Sequence, residues 1–371
     1  MEKTPFLDEI FAEICEMSNF MYQNPELGNQ EFKAVEKLTS FLKAHGFVVT
    51  LGTANIPTAF EAVYDTGQPG PNIGYLCEYD ALPEIGHGCG HNMMGPMSVG
   101  AAAILRHNAT CGKIYVYGTP AEETNGAKVA MAEAGIFNHL ACAMIVHPSA
   151  KTRYSGTSAA MEALQFAYFG QTAHAAGCPE KGINALNAVI QLFNGIDALR
   201  QHVTDDVRIH GIISKGGVAA NIVPEEAVGQ FYVRSATKEN LAKVKAQVLN
   251  IAEGAALMTG ARLEVSNYEL SYDDLKTNAP LMERFAENLK ALGITDIEPA
   301  TKGSGSSDIG NVSNVVPTIH PSIGIAHEEI IGHTREFADA TITDFAHEQL
   351  RKAAMALAMT GEDVLLGKVV F

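Results

Sequence analysis

The sequence predicts an α/β protein of two domains. Its 371 residues exceed one typical domain and are a suitable length for two. Apolar strand-like runs alternate with helical patterns through the first 150 residues, which is typical of a sheet with helices on both faces. From about residue 162 the order of the predicted elements changes, which indicates a second and smaller domain.

The first domain is predicted to open with amphipathic helices over 5–19 and 30–45, the second of which ends at Gly46. Apolar periodicity then predicts strands 58–64 and 72–77, a buried helix 92–106, strand 113–118, helix 127–134 and strand 142–147. Ligands of such sheets collect at the carboxyl ends of the strands. Polar residues that follow these strands are therefore candidates for one shared site.

The second domain has its own element order. The predicted elements are strand 163–170, helix 183–200, strands 207–214 and 226–234, helix 238–258 and strand 261–268. This βαββαβ order predicts a small antiparallel sheet backed by two helices, a ferredoxin-like arrangement.

Composition excludes several classes of partner. The net charge of −16 argues against nucleic acid, because phosphate binding needs a basic surface. No run of about 18 apolar residues predicts a membrane helix, and the N-terminal residues lack a signal-peptide core. The six cysteines are scattered, mostly in apolar runs, which is typical of thiols in a reducing compartment. We therefore expect a cytoplasmic protein with no nucleic-acid or membrane partner.

The most informative motif is Gly-His-Gly-Cys-Gly-His-Asn-Met at 86–93. Its metal-capable residues His87, Cys89 and His91 are separated by glycines, which allow the turns that bring ligands together. Thiolate and imidazole are suitable ligands for zinc or a similar divalent ion. Alone, Cys89 and His91 also fit a buried thiol and a turn histidine, but further ligand candidates downstream favour metal binding. His87 either ligates or hydrogen-bonds the site from behind.

Glu122 and Glu123 follow the strand 113–118. Adjacent carboxylates are usually solvated, but in a loop after a buried strand their side chains diverge, so one can bind metal and the other can face substrate. A metal-dependent hydrolase needs a carboxylate in each role. The metal lowers the pKa of a bound water molecule, and a second carboxylate takes the proton of that water. We interpret Glu123 as a ligand and Glu122 as the general base, although residue physics alone leaves the order open.

His147 and His333 complete the predicted ligand set. His147 ends the apolar run 143–146, at the same sheet edge as the Glu pair. His333 lies near the C-terminus and is credible only together with the others. Because the first domain otherwise lacks its last ligand, we assign residues 1–161 and 275–371 to a discontinuous metal-binding domain and 162–274 to the inserted one.

The inserted domain contains three further polar candidates. His210 interrupts an apolar strand, Asn221 follows a glycine-rich loop, and Arg234 ends the next strand. His210 or Asn221 could stabilise the oxyanion of a tetrahedral intermediate. Arg234 could bind a substrate carboxylate. The alternative is that these are ordinary loop and surface residues.

Together these motifs resemble a known family. They are Asn-Pro-Glu-Leu-Gly at 24–28, Glu-Tyr-Asp-Ala-Leu-Pro at 78–83, Gly-His-Gly-Cys-Gly-His at 86–91, Pro-Ala-Glu-Glu at 120–123, Gly-Ile-Asn-Ala at 182–185, His-Gly-Ile-Ile at 210–213, Asn-Ile-Val-Pro at 221–224, Ser-Asp at 307–308 and His333. The set resembles the dinuclear metallopeptidases of the aminoacylase/carboxypeptidase superfamily. The most similar branch contains hippurate, auxin-conjugate and aminobenzoyl-glutamate hydrolases and related dipeptidases.

The resemblance implies a zinc-peptidase-like catalytic domain, with a mixed sheet and helices on both of its faces, and a lid domain that forms a homodimer. It implies two divalent metal ions per subunit, zinc or manganese with nickel or cobalt as alternatives, and Glu122 as general base. The implied ligands are Cys89, His91, Glu123, His147 and His333. A residue like His210 reaches into the partner's active site in such families. Glu78 stands where the superfamily's metal-binding histidine would be, so Asp80 is expected to support the site without ligating.

We therefore expect a metal-dependent amide hydrolase that cleaves N-acyl or N-aminoacyl amino acids with a free carboxylate by metal-activated water. Asn92, where many members of the branch have Asp, favours dipeptide-like or aminobenzoyl-glutamate-like substrates. Two alternatives remain open at this point. One is a catalytically silent binding protein or accessory subunit on the same fold, and the other is an exopeptidase that acts on longer peptides.

Overall fold

The structure is a computed structural model that describes residues 5–303 and 305–371. The chain divides into two compact units. The first comprises the residues up to Thr157 together with Leu275–Gly303 and Ser307–Phe371. The second comprises Ser158–Asp274 and the short segment at Ser306.

The helices and strands of the first unit are α1 (Pro5–Gln23), α2 (Phe32–Ala44), β1 (Val48–Leu51), β2 (Phe60–Asp65), β3 (Asn72–Cys77), α3 (His91–Asn108), β4 (Lys113–Gly118), α4 (Ala127–Glu133), β5 (Cys142–Met144) and β6 (His147–Ser149). Those of the second unit are β7 (Ala160–Phe169), α5 (Ala185–Leu199), β8 (Arg208–Lys215), β9 (Glu226–Ser235), α6 (Lys238–Thr259) and β10 (Arg262–Asn267). The chain then returns to the first unit with α7 (Ala279–Ala291), α8 (Ile309–Ser313), β11 (Thr318–Ile319), β12 (Ser322–Gly324), α9 (Arg335–Ala340) and α10 (Asp344–Leu365).

The first unit is built on a mixed six-stranded sheet of order β1-β2-β4-β3-β5-β11. Strands β4, β3, β5 and β11 are parallel, whereas β1 and β2 extend the sheet with antiparallel pairs. Helix α3 packs on β3 and β4, and α1 and α10 pack on α3. Because α3 is covered on both sides, it is buried from His91 to Leu105. The expectation of a mixed sheet with a buried helix after the Cys/His turn is confirmed.

The parallel strands position the polar loops. The adjacent strands β4, β3 and β5 end at Gly118, Cys77 and Met144. Each is followed within a few residues by a candidate site residue: Glu122 after β4, Glu78 after β3 and His147 after β5. The parallel direction of these neighbours brings the three loops to one edge of the sheet.

The prediction of one strand over 142–147 was wrong. The apolar run divides, because β5 ends at Met144 and His147 begins β6, which pairs in parallel with β12 in a separate two-stranded sheet. The amide of His147 donates to the carbonyl of Pro321 (2.9 Å). A partner strand this distant in the sequence leaves no local signal, so periodicity could not show the break. The short strand β1 was also not predicted.

The second unit is an antiparallel sheet of order β10-β7-β9-β8, and α5 and α6 pack against its central strands. Its elements follow the predicted βαββαβ order. It has a core of its own, which includes Phe166, Phe231, Leu192 and Val248. The predicted boundary of 162–274 differs from the observed start of this unit, Ser158, by a few residues.

Within the residues that the structure describes, every helix is too short or too polar to cross a lipid bilayer.

Candidate metal centre

The turn that carries Cys89 and His91 packs tightly against the loop of His147. Gly90 has a φ of 84° and opens α3. A side chain at this position would meet Pro148 at 3.0 Å, so glycine allows the two loops to approach. As a result, the Sγ of Cys89 lies 3.4 Å from Nε2 of His147. The rings of His91 and His147 lie edge to face with centroids 5.8 Å apart.

His91 is held between two carboxylates from the loop after β3. Its Nδ1 lies 3.0 Å from Oδ1 of Asp80, and its Nε2 lies 3.4 Å from Oε2 of Glu78. The other oxygen of Asp80 accepts a hydrogen bond from the amide of Glu123 (3.0 Å). Asp80 therefore orients His91 through one oxygen and the Glu122–Glu123 loop through the other. This arrangement is typical of a group that supports a metal-binding histidine.

His333 approaches the cluster from the C-terminal part of the chain. Its amide donates to the carbonyl of Gly88 (2.8 Å), and its Nε2 lies 3.5 Å from Oε1 of Glu123. The residue has a left-handed backbone, with a φ of 61°. Its side chain is about half exposed, whereas that of Glu123 is mostly buried. His333 thus covers the outer side of the cluster.

The predicted ligands form three overlapping groups in which the potential ligand atoms lie within 4.8 Å of one another. The groups are Cys89 with His91 and His147, Cys89 with Glu123 and His333, and His91 with Glu122 and Glu123. All five predicted ligands and Glu122 are thus brought together. Glu122 and Glu123 diverge less than we expected, since both carboxylates reach the surroundings of His91.

The side chains fit a divalent cation pair. Two buried atoms of the cluster, His91 Nε2 and Glu123 Oε1, have no hydrogen-bond partner among the described residues. The donors are a thiol, imidazoles and a carboxylate, which zinc and the neighbouring first-row metals accept. Cys89, His91 and Glu123 each belong to two of the three groups, so the groups form one continuous cluster.

Burial strongly perturbs the titration of the cluster. It raises the pKa of the Cys89 thiol to about 12 and lowers the pKa of His147 to about 3. Burial, reinforced by the charges of Glu78 and Asp308, raises the pKa of Glu122 to about 8. Burial also disfavours ionisation of Glu78, but Lys128 and His91 outweigh it and lower the pKa of Glu78 to about 2. Such perturbed groups in one crevice are typical of functional sites.

His87 is not part of any of the three groups. It is buried, its Nδ1 has no hydrogen-bond partner among the residues described, and burial lowers its pKa to about 3. This position agrees better with packing behind the site than with ligation. Asn92 also points away from the cluster, because its side-chain amide donates to Ser18 (3.2 Å) and Thr341 (3.0 Å).

Sequence reasoning gave no role to several residues beside the cluster. Lys128 is fully buried, with its ammonium 2.8 Å from Glu78 and 2.7 Å from Asp308. Ser307 donates to Glu122 (2.7 Å). His320 stacks edge-on against His147 with centroids 5.6 Å apart. The pair 307–308 was visible as a motif, but a lysine in a helix and a histidine in an apolar run have no distinctive signal.

The remaining candidates belong to the second unit. His210 lies in β8 opposite Tyr232 of β9, and Asn221 follows the glycine-rich loop. Arg234, near the end of β9, donates to Oγ of Ser306 (3.3 Å) and its guanidinium lies 5.6 Å from the ring centre of Tyr232. Burial, together with Arg234 and Arg200, lowers the pKa of His210. These contacts all lie within the second unit.

Comparison with known proteins shows the family of the chain. Residues 68–358 match the family model of peptidase family M20/M25/M40. The chain is 34% identical over 376 residues to the Xaa-Arg dipeptidase of Mus musculus, covering 97% of this chain and 87% of that protein. It is 33% identical over 272 residues to a p-aminobenzoyl-glutamate hydrolase chain of Escherichia coli K12, covering 67% of this chain and 56% of that protein.

The fold is shared with solved structures of the same family. A dinuclear metal binding peptidase of Bacillus subtilis superposes with a TM-score of 0.69 at 18% identity, covering 95% of this chain and 99% of that one. The family match extends over most of the chain, and it includes the loops of Cys89, His91, Glu122, Glu123 and His147. The chain therefore belongs to peptidase family M20/M25/M40, and it is a metal-dependent amide hydrolase.

Proposed function

We propose that the protein hydrolyses dipeptides and related N-acyl amino acids that end in a free carboxylate, with aminobenzoyl-glutamate-like compounds as further candidates. The observation that supports this most is the convergence of Cys89, His91, Glu123, His147 and His333 around Glu122. Similarity to an Xaa-Arg dipeptidase over 97% of the chain favours dipeptides over larger substrates.

We infer that these five ligands bind two divalent cations per subunit. Zinc and manganese are the first candidates, with nickel and cobalt as alternatives, because mixed Cys, His and Glu ligands accommodate all four. When bound, the cations would supply Lewis-acid polarisation of the carbonyl and acidification of a water molecule. Asp80 fixes the tautomer of His91 by accepting from Nδ1, which leaves Nε2 for the cation.

Glu122 acts as the general base and then as the general acid. Its carboxylate takes a proton from the attacking water and delivers it to the leaving nitrogen, which becomes the free amine. The hydrogen bond from Ser307 holds one carboxylate oxygen and leaves the other available. Burial raises the pKa of Glu122, so its carboxylate is a stronger base towards water than that of an exposed glutamate.

Each unit by itself offers polar groups that suit part of such a substrate. A cavity of about 560 Å³ in the first unit is lined by Cys89, His147, His333, Arg153 and Glu298, among others, and it has room for the acyl or N-terminal part. The second unit contains polar residues whose chemistry suits an oxyanion and a carboxylate. His210 would stabilise the oxyanion, and Asn221 or Arg234 would bind the free carboxylate.

We further propose a homodimer formed through the second unit in the cytoplasm. Strand β8 forms an edge of its sheet and exposes Ile212 and Ile213, as expected of a strand that pairs with a second copy. All six cysteines are free, which is typical of a reducing compartment.

The decisive experiment is a substrate panel on metal-reconstituted protein. It contains dipeptides with basic, neutral and acidic C-terminal residues, hippurate, p-aminobenzoyl-glutamate, a tripeptide, and the C-terminal amide of the best substrate. We expect release of the C-terminal amino acid from a dipeptide and no turnover of the amide. Glu122→Gln should lower turnover by about two to four orders of magnitude with metal retained.

The same panel separates the alternatives. If metal-loaded protein leaves every compound intact, the catalytically silent binding protein is favoured. If the tripeptide is cleaved faster than every dipeptide, the protein is an exopeptidase on longer peptides. Full activity of Glu122→Gln would reject the general-base assignment.

A further inference from the structure

The loop that carries Glu122 is held by residues from a distant part of the chain. It connects the end of β4, Gly118, to the start of α4, Ala127. Ser307 and Asp308 directly precede α8. Ser307 contacts Glu122 in this loop, and Asp308 contacts Lys128 in the first turn of α4. These contacts span 185 and 180 residues of sequence.

Ser307 contacts the functional atom of the loop. Its hydroxyl donates to Oε1 of Glu122 at 2.7 Å. A hydrogen bond to a carboxylate is stronger than one between neutral groups and restricts the side chain to one orientation. Glu122 therefore presents its second oxygen in a direction that Ser307 determines.

Asp308 fixes Ser307 relative to this loop. Its Oδ1 lies 2.7 Å from Nζ of Lys128, and its Oδ2 accepts from the amide of Lys128 (3.1 Å). Both side chains are fully buried. The ammonium also lies 2.8 Å from Glu78, so it is shared by two carboxylates. Breaking a buried ion pair leaves an uncompensated charge, so this arrangement strongly opposes any shift of 307–308 against α4.

The backbone of the loop is shaped for this contact. Gly126 has a φ of 41°, and a side chain there would lie 2.8 Å from Cβ of Asp308. The approach of Asp308 to Lys128 thus depends on glycine at this position.

On the basis of the proposed function, we propose that Ser307 is a positioning residue for Glu122, and that the buried pair of Asp308 with Lys128 anchors it. Ser307 acts through Glu122 and touches neither substrate nor cation in this proposal. Its contribution is to turnover, because a general base works only when it is within hydrogen-bond reach of the proton it takes.

Ser307→Ala tests the proposal without disturbing the buried pair. We expect kcat to fall by about 10- to 100-fold, KM to stay within about 2-fold, and metal content to be unchanged. Ser307→Thr, which keeps a hydroxyl, should restore most of kcat. The matched control is Ser313→Ala, because Ser313 lies in the neighbouring helix α8 and its Oγ donates to a carbonyl, that of Gly310 (2.8 Å). Its kcat should equal that of the wild type.

The outcomes separate this proposal from the proposed function. If Glu122→Gln is inactive but Ser307→Ala keeps wild-type kcat, the positioning role is refuted and the proposed function stands. The role is also refuted if Ser307→Ala loses metal, or if Ser307→Thr is as impaired as Ser307→Ala. If Glu122→Gln itself is fully active, the proposed function fails first.

Discussion

At the scale of single residues, burial shifts the pKa values of the site residues away from those of exposed polar groups. Burial of the Cys89 thiol and the His147 ring favours the neutral form of both groups. A bound cation would reverse this preference for the thiol, because only the thiolate is a good ligand. The site is therefore expected to exchange protons for metal.

Metal binding should release protons at neutral pH. Since burial raises the pKa of Cys89 to about 12, the thiol is protonated at neutral pH and must lose its proton to ligate. We expect at least one proton released per subunit, and an apparent Kd for zinc that falls about tenfold or more per pH unit. Calorimetry of zinc binding in buffers of different ionisation enthalpy measures the number directly. Binding without proton release would contradict the role of Cys89.

Asp80 offers a test of the support given to His91. Asp80→Asn keeps the size of the side chain but removes the charge that His91 and the amide of Glu123 face. We expect metal affinity to fall by about 10- to 100-fold with little change in fold. The matched control is Asp363→Asn on α10, a mostly buried aspartate that pairs with Lys368. Equal affinities in wild type and Asp80→Asn would reject the assignment.

At the scale of elements, the parallel strands β4, β3 and β5 explain why a site exists at this edge. Their periodicity and their order along the chain were readable from the sequence, so the convergence of Cys89 and His91, Glu122 and Glu123, and His147 could be predicted. The division of β5 from β6 could not, because it depends on pairing with β12. The contact of Ser307 and Asp308 with the Glu122 loop was equally hidden, since no local pattern encodes a partner 180 residues away.

The loop between β4 and α4 should tolerate no side chain at Gly126. Gly126→Ala introduces a methyl group 2.8 Å from Asp308 at a left-handed backbone position. We expect a loss of about 1–3 kcal/mol in the free energy of unfolding together with reduced kcat. Gly135→Ala, at the end of α4 with a φ of 73°, has a similar backbone penalty but meets only the side chain of Asn138.

The comparison of the two glycine variants separates strain from positioning. Gly135→Ala should lose stability and keep kcat, as measured by denaturant unfolding and steady-state turnover. If both variants lose stability but keep the wild-type kcat, the approach of Asp308 to this loop has no bearing on catalysis.

At the scale of the whole molecule, two units with separate cores divide the proposed work. The first contains the complete predicted ligand set and Glu122, whereas the second contains the residues proposed for the oxyanion and the carboxylate. The order of elements in the second unit was predictable because its helices and strands follow local patterns. The homodimer stays a prediction, because no periodicity distinguishes an edge strand that pairs with a second copy.

The homodimer can be tested on β8. Ile212 is 61% exposed on this edge strand, and Ile212→Lys places a charge where a second copy would pack. We expect the variant to shift from dimer to monomer in sedimentation analysis with its unfolding midpoint little changed, while Val265→Lys on the opposite edge strand β10 stays dimeric. A monomeric wild type, or an unaffected Ile212→Lys, would contradict the proposed interface.

Metal content per subunit, measured by mass spectrometry after reconstitution and desalting, tests the central claim most directly. The account predicts two divalent ions in the wild type and in Glu122→Gln, and fewer than two in Cys89→Ala and His147→Ala. Two ions retained in both ligand variants, or none in the wild type, would contradict it.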